Sequence, residues 1–255
     1  MNTNDPRPVP PQLPPAAPAG PVPTSGDDPS ERLPVPNVIV AIEAILRQPR
    51  RLTYQLRQPG AGRLIAMMLC LAVGCSLVYG LVAGTFSGGT QLWAAPVKIA
   101  GGLLLSALIC LPSLYIFTCL GGSQARLVEV FGLLTGLLLL TSILLVGFAP
   151  VAWIFSQSTE LLAWMGALHL LFWFVATVFG LRFLEAGFAQ SQVRSLAGFR
   201  VWVVIFLLVA LQMTTALRPI LGKADTFLPA KKLFFAAHWS QCLTAGDENP
   251  KAGDR

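Results

Sequence analysis

The side chains that most often carry catalysis or bind metals are few in this sequence, and they lie far apart. The chain has two histidines, and His238 in the C-terminal tail is remote from His169 in a long apolar run. The five cysteines form no CxxC pair and no Cys/His cluster with zinc spacing. No nucleophile, general base and orienting acid can be assembled within the apolar runs. The sequence therefore predicts no enzyme activity, no cofactor and no metal site.

His169 is the one ionisable side chain that the sequence places near the middle of a membrane. An ionisable residue at that depth is a functional candidate, for proton relay or for ligand contact. A relay normally needs acidic partners at similar depth, and the sequence places none there. We therefore favour a neutral histidine that is hydrogen-bonded to another helix, with Ser106, Thr135 and Thr141 as candidate partners.

The segments that must position His169 are five long apolar runs. The central run, residues 130–159, contains no Asp, Glu, Lys, Arg or His. A bilayer core of ~30 Å needs about 20 apolar helical residues, because a helix rises ~1.5 Å per residue. Apolar residues occupy nearly every azimuth of the central run, which predicts a helix that faces lipid or other apolar helices. The predicted spans are residues 64–86, 93–120, 128–153, 161–181 and 200–217.

These runs predict an all-α fold, a polytopic transmembrane helical bundle with interfacial helices before the first span and after the last. The composition agrees, because the chain is 54% hydrophobic and only 12% charged, whereas soluble domains are about 25% charged. The predicted regions are a disordered Pro-rich tail (1–36), basic interfacial helices (37–63), the membrane domain (64–222) and an amphipathic C-terminal tail (223–255).

The Pro-rich tail and the basic segment after it differ in character. Residues 1–36 contain twelve prolines and few large apolar side chains, which predicts disorder with polyproline II character. Residues 37–63 predict two short helices in the membrane interface, interrupted near Pro49. Their arginines are expected to contact anionic lipid headgroups, at about 1 kcal/mol each. These residues are Arg47, Arg50, Arg51, Arg57 and Arg63.

Small side chains recur at helical spacing in two of the spans. Residues spaced four apart form a stripe where another helix backbone can come close, either from a neighbouring span or from a second copy of the chain. The predicted helix-packing residues are Ala72, Ser76, Gly80 and Gly84 in the first span and Gly132 and Gly136 in the third.

The basic residues predict the orientation in the membrane. Lys and Arg are in excess on the side of the N-terminus, which predicts a multi-pass protein of the cell (inner) membrane with its N-terminus cytoplasmic and its C-terminus outside. Arg126 is expected to pair with Glu129 at the entrance of the third span. Lys98 is expected to snorkel to the outer interface. The net charge of +6 is scattered among span ends, which argues against nucleic acid as a partner.

One stretch, YIFTCLGGSQARLVEVFGLLTGLLLL at residues 115–140, ends a span, turns at Leu-Gly-Gly and opens the next span on a small-residue motif. With its five spans and Pro-rich N-terminus, the chain resembles the Yip-type membrane-protein family over residues 64–217. The eukaryotic members of that family interact with Rab GTPases in vesicle traffic. The resemblance supplies no catalytic residues, and the Ala/Leu/Gly-rich composition looks bacterial, where a Rab partner would be absent.

Two functions are compatible with these features. The first is a non-enzymatic membrane-organising, accessory or scaffold protein, whose partners are the lipid bilayer, anionic lipids, and other membrane proteins or a second copy of the chain. The alternative is a small-molecule or ion carrier or channel, because kinked helices with polar groups at mid-depth line transport paths. Its candidate residues are Pro112 in the second span, His169, and the group Gln212, Thr214 and Thr215.

Overall fold

The computed structural model describes residues 28–85, 89, 91–123, 125–158, 162–190 and 197–216. Within these ranges the chain is helical and contains no β-strand, which confirms the predicted all-α fold. A short 3-10 helix, Pro29–Arg32, precedes α1 (Val38–Arg47), α2 (Pro49–Arg57), α3 (Gly62–Thr85), α4 (Gln91–Leu120), α5 (Leu127–Ser158), α6 (Leu162–Ala189) and α7 (Ala197–Ala216). The predictions for residues 1–27, His238 and the C-terminal tail lie outside the described residues.

Helices α3 to α7 are the five that are long and apolar enough to cross a membrane. The predicted spans are confirmed in number, although two helices run further than predicted. Helix α5 continues past Pro150 to Ser158, and α6 continues past Leu181 to Ala189. A proline removes one helical hydrogen bond but does not have to end a membrane helix, because neighbouring groups can satisfy the freed carbonyl.

Helix α5 is the centre of the bundle. Helices α3 and α6 both pack along it, and α4 touches it as well. Every side chain from Leu133 to Ser142 is buried, since the helix has neighbours on several sides. The apolar character around the whole circumference of α5 therefore comes from burial among other helices rather than from contact with lipid alone.

Helix α7 packs on α4 at the side of the bundle. Its buried face is a row of aromatic rings, in which Trp202 stacks on both Phe199 and Phe206. The indole Nε1 of Trp202 donates a hydrogen bond of 2.9 Å to the backbone carbonyl of Cys110 in α4. This bond satisfies the one polar atom of a fully buried tryptophan.

The short helices α1 and α2 fold onto one end of the bundle. Their inward side chains are 0–2% exposed and belong to the main hydrophobic core. These side chains are Ala44 and Ile45 of α1 and Leu52 and Leu56 of α2. Asn37 caps α1 by accepting a hydrogen bond of 3.0 Å from the Val40 amide. The two helices are thus packed on protein along one side.

Residues 28–36 are ordered, which corrects the prediction of disorder for this part of the tail. The carbonyls of Leu33 and Pro34 accept hydrogen bonds from Arg51, and those of Arg32 and Leu33 accept from Gln55. These hydrogen bonds, with the packing of Val35 on the core, offset part of the conformational entropy of ordering this short segment, and composition alone did not reveal them.

The two ends of the bundle differ in their side chains. One end, here called the arginine end, carries Arg57, Arg63, Arg126 and Arg200 at or next to helix termini, and Arg182 two turns before the end of α6. The other end, the tryptophan end, carries the exposed rings of Trp93, Trp153 and Trp164. Along α6, the 18 residues from Trp164 to Arg182 rise about 27 Å, which matches the thickness of a bilayer core of ~30 Å.

Candidate functional site

The most unusual polar contact in the membrane domain joins Tyr79 of α3 to His169 of α6. The hydroxyl of Tyr79 lies 2.6 Å from Nδ1 of His169, and the two rings meet edge to face. Tyr79 is 4% exposed. The bond connects two helices that both pack along α5, so it ties the flanks of the bundle together.

The expectation that His169 bonds to another helix is met, but its partner is Tyr79 and not one of the predicted hydroxyls. Ser106 and Thr135 donate instead to backbone carbonyls of their own helices. The hydroxyl of Thr141 lies 2.6 Å from the position that a Cβ on Gly180 would take. A helical wheel predicts which face His169 occupies, but it does not predict which neighbouring helix that face meets.

One side of the His169 ring has its hydrogen bond and the other does not. Nε2 is buried and finds no hydrogen-bond partner among the described residues. If Tyr79 donates to Nδ1, then Nε2 carries the proton of the neutral ring. If Nδ1 donates to Tyr79, then Nε2 is an acceptor. In either tautomer one polar atom of the imidazole is available for a further hydrogen bond, at a cost of about 1–3 kcal/mol while it stays unmet.

The surroundings of the pair are apolar and aromatic. Tyr79 belongs to a second hydrophobic cluster, with Met165 and Phe172 of α6 as buried members and Trp173 packed against it. The ring of Phe172 stacks on that of Phe148 with centroids 4.8 Å apart. A neutral hydrogen-bonding group therefore suits this environment better than an ion.

The pair lies in the half of the bundle nearest the tryptophan end. His169 is five residues from Trp164 and thirteen from Arg182, which corresponds to rises of about 8 Å and about 20 Å along α6. By residue count along α6, the pair is nearer to Trp164 than to Arg182.

A second interhelical polar contact lies deeper in the bundle. The hydroxyls of Ser76 in α3 and Ser142 in α5 are 2.9 Å apart, and each also lies within hydrogen-bond distance of a carbonyl one turn earlier in its own helix. Because a hydroxyl has one proton, one of the two donates across to the other while the second donates to its own helix. Both side chains are buried. Thr141 and Thr177 are buried as well, but their hydroxyls have no partner among the described residues.

The predicted small-residue stripe of α3 faces the inside of the bundle. Ala72, Ser76, Gly80 and Gly84 are all buried. A Cβ on Gly80 would collide with Cα of Pro96 and lie 3.0 Å from the Pro96 nitrogen, so α3 and α4 approach through their backbones. These residues are therefore occupied by contacts within one chain.

The two glycines of α5 also give close contacts inside the chain. A Cβ on Gly132 would lie 2.9 Å from Leu56 of α2, and one on Gly136 would collide with the ring of Phe183 in α6. Gly132 thus brings α2 onto the bundle end, and Gly136 makes room for an aromatic ring between α5 and α6.

The residues proposed to line a transport path do not converge. Pro112 lies on an exposed side of α4, and His169 faces Tyr79 of α3. Gln212 and Thr214 are half-buried near the end of α7, where Thr214 donates to the Leu211 carbonyl. The side chain of Thr215 lies outside the described residues.

Lys98 does not snorkel, which corrects the prediction. Its side chain is 2% exposed and ranks among the largest buried side chains of the described chain. Ala94 and Ala95, one helical turn earlier on the same side of α4, are buried as well. The sequence gives the depth of Lys98 along the span, but the helix contact determines which side of α4 faces protein.

At the arginine end, Arg57 is used inside the protein. Its guanidinium donates to the carbonyl of Gln190 at 3.0 Å and to that of Gly187 at 3.2 Å, both at the end of α6. Partial burial lowers the pKa of Arg57, and the nearby Glu129 carboxylate opposes that shift. Arg126 bonds at 2.8 Å to Glu129, as predicted, and also donates to the Arg57 carbonyl.

The five arginines expected to contact lipid therefore fall into two groups. Arg51 and Arg57 hold backbone carbonyls of residues 33–34 and of α6. Arg47, Arg50 and Arg63 are exposed, and Arg47 has only a loose pairing of 3.9 Å with Glu43. The second group keeps its side chains at the surface, where headgroups would be met.

Comparison with other proteins adds no relative to this geometry. No protein-family model matches the chain, and neither curated proteins nor solved structures give a similar one. Within the described ranges, no group of three or more His, Cys, Asp or Glu side chains is placed to hold a metal ion. The class of protein that the fold defines is a multi-pass membrane protein with five helices long and apolar enough to span the bilayer.

Proposed function

We propose that this protein is a non-enzymatic accessory or scaffold protein of the membrane, and that its working surface is formed by α1 and α2. These two helices are called the platform below. The role is of the kind that the resemblance to Yip-type proteins implies. The proposed partners of the protein are anionic lipids and other membrane proteins or a second copy of the chain.

The observation that carries the proposal is the outward face of α1. Ile39 is 76% exposed and Leu46 is 48% exposed, although α1 also buries Ala41, Ala44 and Ile45 against the bundle. The bundle covers only one side of this helix, so the exposed apolar side chains on its other side must be covered by something else. Lipid at the membrane interface, or the apolar surface of another membrane protein, would fill it.

Charge at the same place supports an anionic surface as the neighbour. Arg47 follows Leu46 at the end of α1, and Arg50 lies in the first turn of α2. Both are exposed, as is Arg63 at the start of α3. Each such arginine near an anionic membrane surface contributes about 1 kcal/mol.

The small residues spaced four apart give little support for association with another protein, because the structure uses them for contacts within the chain. Gly80 packs against Pro96 within the chain, and Gly132 and Gly136 pack against α2 and α6. Association would therefore use the platform rather than these glycines.

Crosslinking in native membranes tests the role. A photo-crosslinking amino acid replaces Ile39 in the full chain, and a matched probe replaces Val204 of α7, which is 57% exposed within a span. The probe at position 39 is expected to form adducts with anionic lipid or with a membrane protein, whereas that at position 204 should label acyl chains without headgroup preference. Recovery of unmodified monomer alone from position 39 would count against the platform as a working surface.

The platform has this role only if it lies in the cytoplasm, as the excess of basic residues on its side predicts. Labelling of Cys242 in intact cells with a membrane-impermeant thiol reagent tests the orientation, because the C-terminus is then expected outside. Protection of Cys242 until the membrane is opened would reverse the assignment.

A carrier or channel is the second candidate, and one observation favours it. Nε2 of His169 is a buried polar atom without a partner among the described residues, as a ligand contact would require. Replacing His169 by Leu tests it in reconstituted vesicles. Unchanged proton or substrate flux, at unchanged protein level, would remove this candidate.

A further inference from the structure

The surface of α2 that holds residues 32–36 has a definite hydrogen-bonding character. Arg51 donates to the carbonyls of Leu33 and Pro34 at 3.0 and 2.7 Å, and Gln55 donates to those of Arg32 and Leu33 at 3.1 Å each. All four bonds run from α2 side chains to backbone oxygens. The surface thus offers donors, and it suits a segment whose backbone supplies mainly acceptors.

A Pro-Val-Pro segment is such a segment, because proline has no N–H. Leu33 at its start has φ −63° and ψ 132°, which is close to the polyproline II conformation with its open carbonyls. Val35 is partly buried and packs against the main hydrophobic core, whereas Pro34 and Pro36 are exposed. Recognition here uses the backbone carbonyls of Pro34 and of the two residues before it, together with one valine side chain.

The same tripeptide occurs three times in the N-terminal region. Pro-Val-Pro begins at residues 8, 21 and 34, so the copies repeat every 13 residues. The third copy is the one that lies on α2, and the first two lie outside the described residues. The determinants used by the third copy, an acceptor-rich backbone and a central valine, are present in all three.

We propose that the α2 surface formed by Arg51 and Gln55 is a docking site for Pro-Val-Pro segments, and that the copy at residues 21–23 of the same chain is its second occupant. The exchange moves the attachment point of the tail by one repeat of 13 residues. It releases residues 32–36 from α2 and leaves residues 24–36 as a loop.

The reach and the local concentration favour an occupant from the same chain. A polyproline II segment of 13 residues extends up to about 40 Å, at ~3.1 Å per residue, so the loop can return residues 21–23 to the site. A short tether also holds them at an effective concentration on the order of millimolar. The copy at residues 34–36, the resident copy, is still the preferred occupant. Residue 37 directly after it caps α1, so its binding closes no long loop.

Weakening the resident copy should therefore bring in the second copy. In the full-length protein in detergent, a photo-crosslinking amino acid replaces Ala19, which occupies in the second repeat the position of Arg32 in the third. Adducts are mapped by mass spectrometry in three versions of the chain. These carry no further change, Val35→Asp, and Val35→Asp together with Val22→Asp.

The expected result is a several-fold increase of adducts on α2 in Val35→Asp, lost again when Val22→Asp is added. All adducts should run at the mass of the monomer. Equal labelling of α2 with and without Val22→Asp would overturn the proposal, and so would adducts at the mass of a dimer. If Val35→Asp lowers the amount of folded protein, Val35→Gly weakens the same contact without introducing a charge, and the same comparison applies.

Discussion

At the arginine end, charged side chains bond to the backbone carbonyls of neighbouring elements, whereas in the tryptophan half the helices meet through backbone approach and one polar pair. Arg57 alone holds two carbonyls at the end of α6. In the other half, Gly80 admits Pro96, and Tyr79 bonds to His169. The same bundle is thus closed by two different kinds of contact.

The difference follows from the surroundings of each end. At a helix terminus the last carbonyls have no intrahelical partner, and a guanidinium with five donors can satisfy several of them while it stays partly in water. Inside the hydrocarbon a charge is costly, so close packing and neutral hydrogen bonds must do the joining. Among the described residues, buried side-chain atoms without a partner occur both within the spans, as at His169 Nε2, and at the arginine end, at Gln190 Oε1.

The largest effect is expected where two backbones touch. Gly80→Leu places side-chain atoms where Cα of Pro96 lies, and a backbone cannot move aside as a flexible side chain can. We expect a loss of about 3 kcal/mol in the free energy of unfolding, measured in detergent by thermal or denaturant unfolding. Gly74→Leu in the same helix is the control, because a Cβ at Gly74 meets nothing within 4 Å. Equal stability of the two variants would mean that α3 and α4 do not meet at Gly80.

The next effect concerns the arginine end. Arg57→Met keeps most of the apolar stem but leaves the carbonyls of Gly187 and Gln190 without this donor. We expect a loss of about 1–3 kcal/mol, because hydrogen bonds to charged groups contribute at that level. Faster amide hydrogen exchange in α2 and at the end of α6 would show that the loss of stability is local to this contact. Arg50→Met, at an exposed position, should change neither, and an equal effect from both would show that charge alone matters.

The polar pair should give a smaller effect that shows itself as coupling. Tyr79→Phe removes the hydroxyl that bonds to His169, and His169→Phe removes the imidazole. In a double-mutant cycle we expect a coupling of about 0.5–1.5 kcal/mol, the range found for interhelical hydrogen bonds in membranes. Additive changes would contradict the bond. They would also weaken the contrast between the two halves.

Hydropathy predicted the five spans, because the transfer of about 20 apolar residues into lipid depends on composition and hardly on neighbours. It did not predict which faces meet. Lys98 is buried rather than snorkelled, on the side of α4 that also buries Ala94 and Ala95. Tyr79, the partner that the structure shows for His169, is not among the predicted hydroxyls, although a tyrosine in this half of α3 is a visible signal in the sequence.

The arginines of the basic segment show the same limit. The sequence predicts Arg51 and Arg57 as lipid contacts, but α2 folds onto the bundle end and brings both side chains against backbone carbonyls. This outcome depends on the docking of α2 through Leu52 and Leu56. Charge patterns predict on which side of the membrane a segment lies, whereas tertiary packing decides which charged side chains remain exposed at the surface.

The smallest effect is expected at Asp28, at the very start of the ordered segment. Its carboxylate accepts a hydrogen bond of 2.9 Å from the Ser30 amide and so caps the turn Pro29–Arg32. This bond lowers the pKa of Asp28 from its ordinary value of 3.8. A group with a lowered pKa stabilises the folded form above the ordinary value, and the contribution is lost as the pH falls through the lowered one.

Acidification below about pH 4 should therefore loosen this turn before it disturbs the membrane helices. The Ser30 amide signal in an NMR titration should move with a midpoint below 3.8, the ordinary pKa of Asp28. Asp28→Asn keeps an acceptor oxygen but cannot titrate, so its Ser30 signal should stay in place over the same range. A midpoint at or above the ordinary value would mean that Asp28 does not cap the turn. The arginine end would then hold residues 32–34 through Arg51 and Gln55 alone.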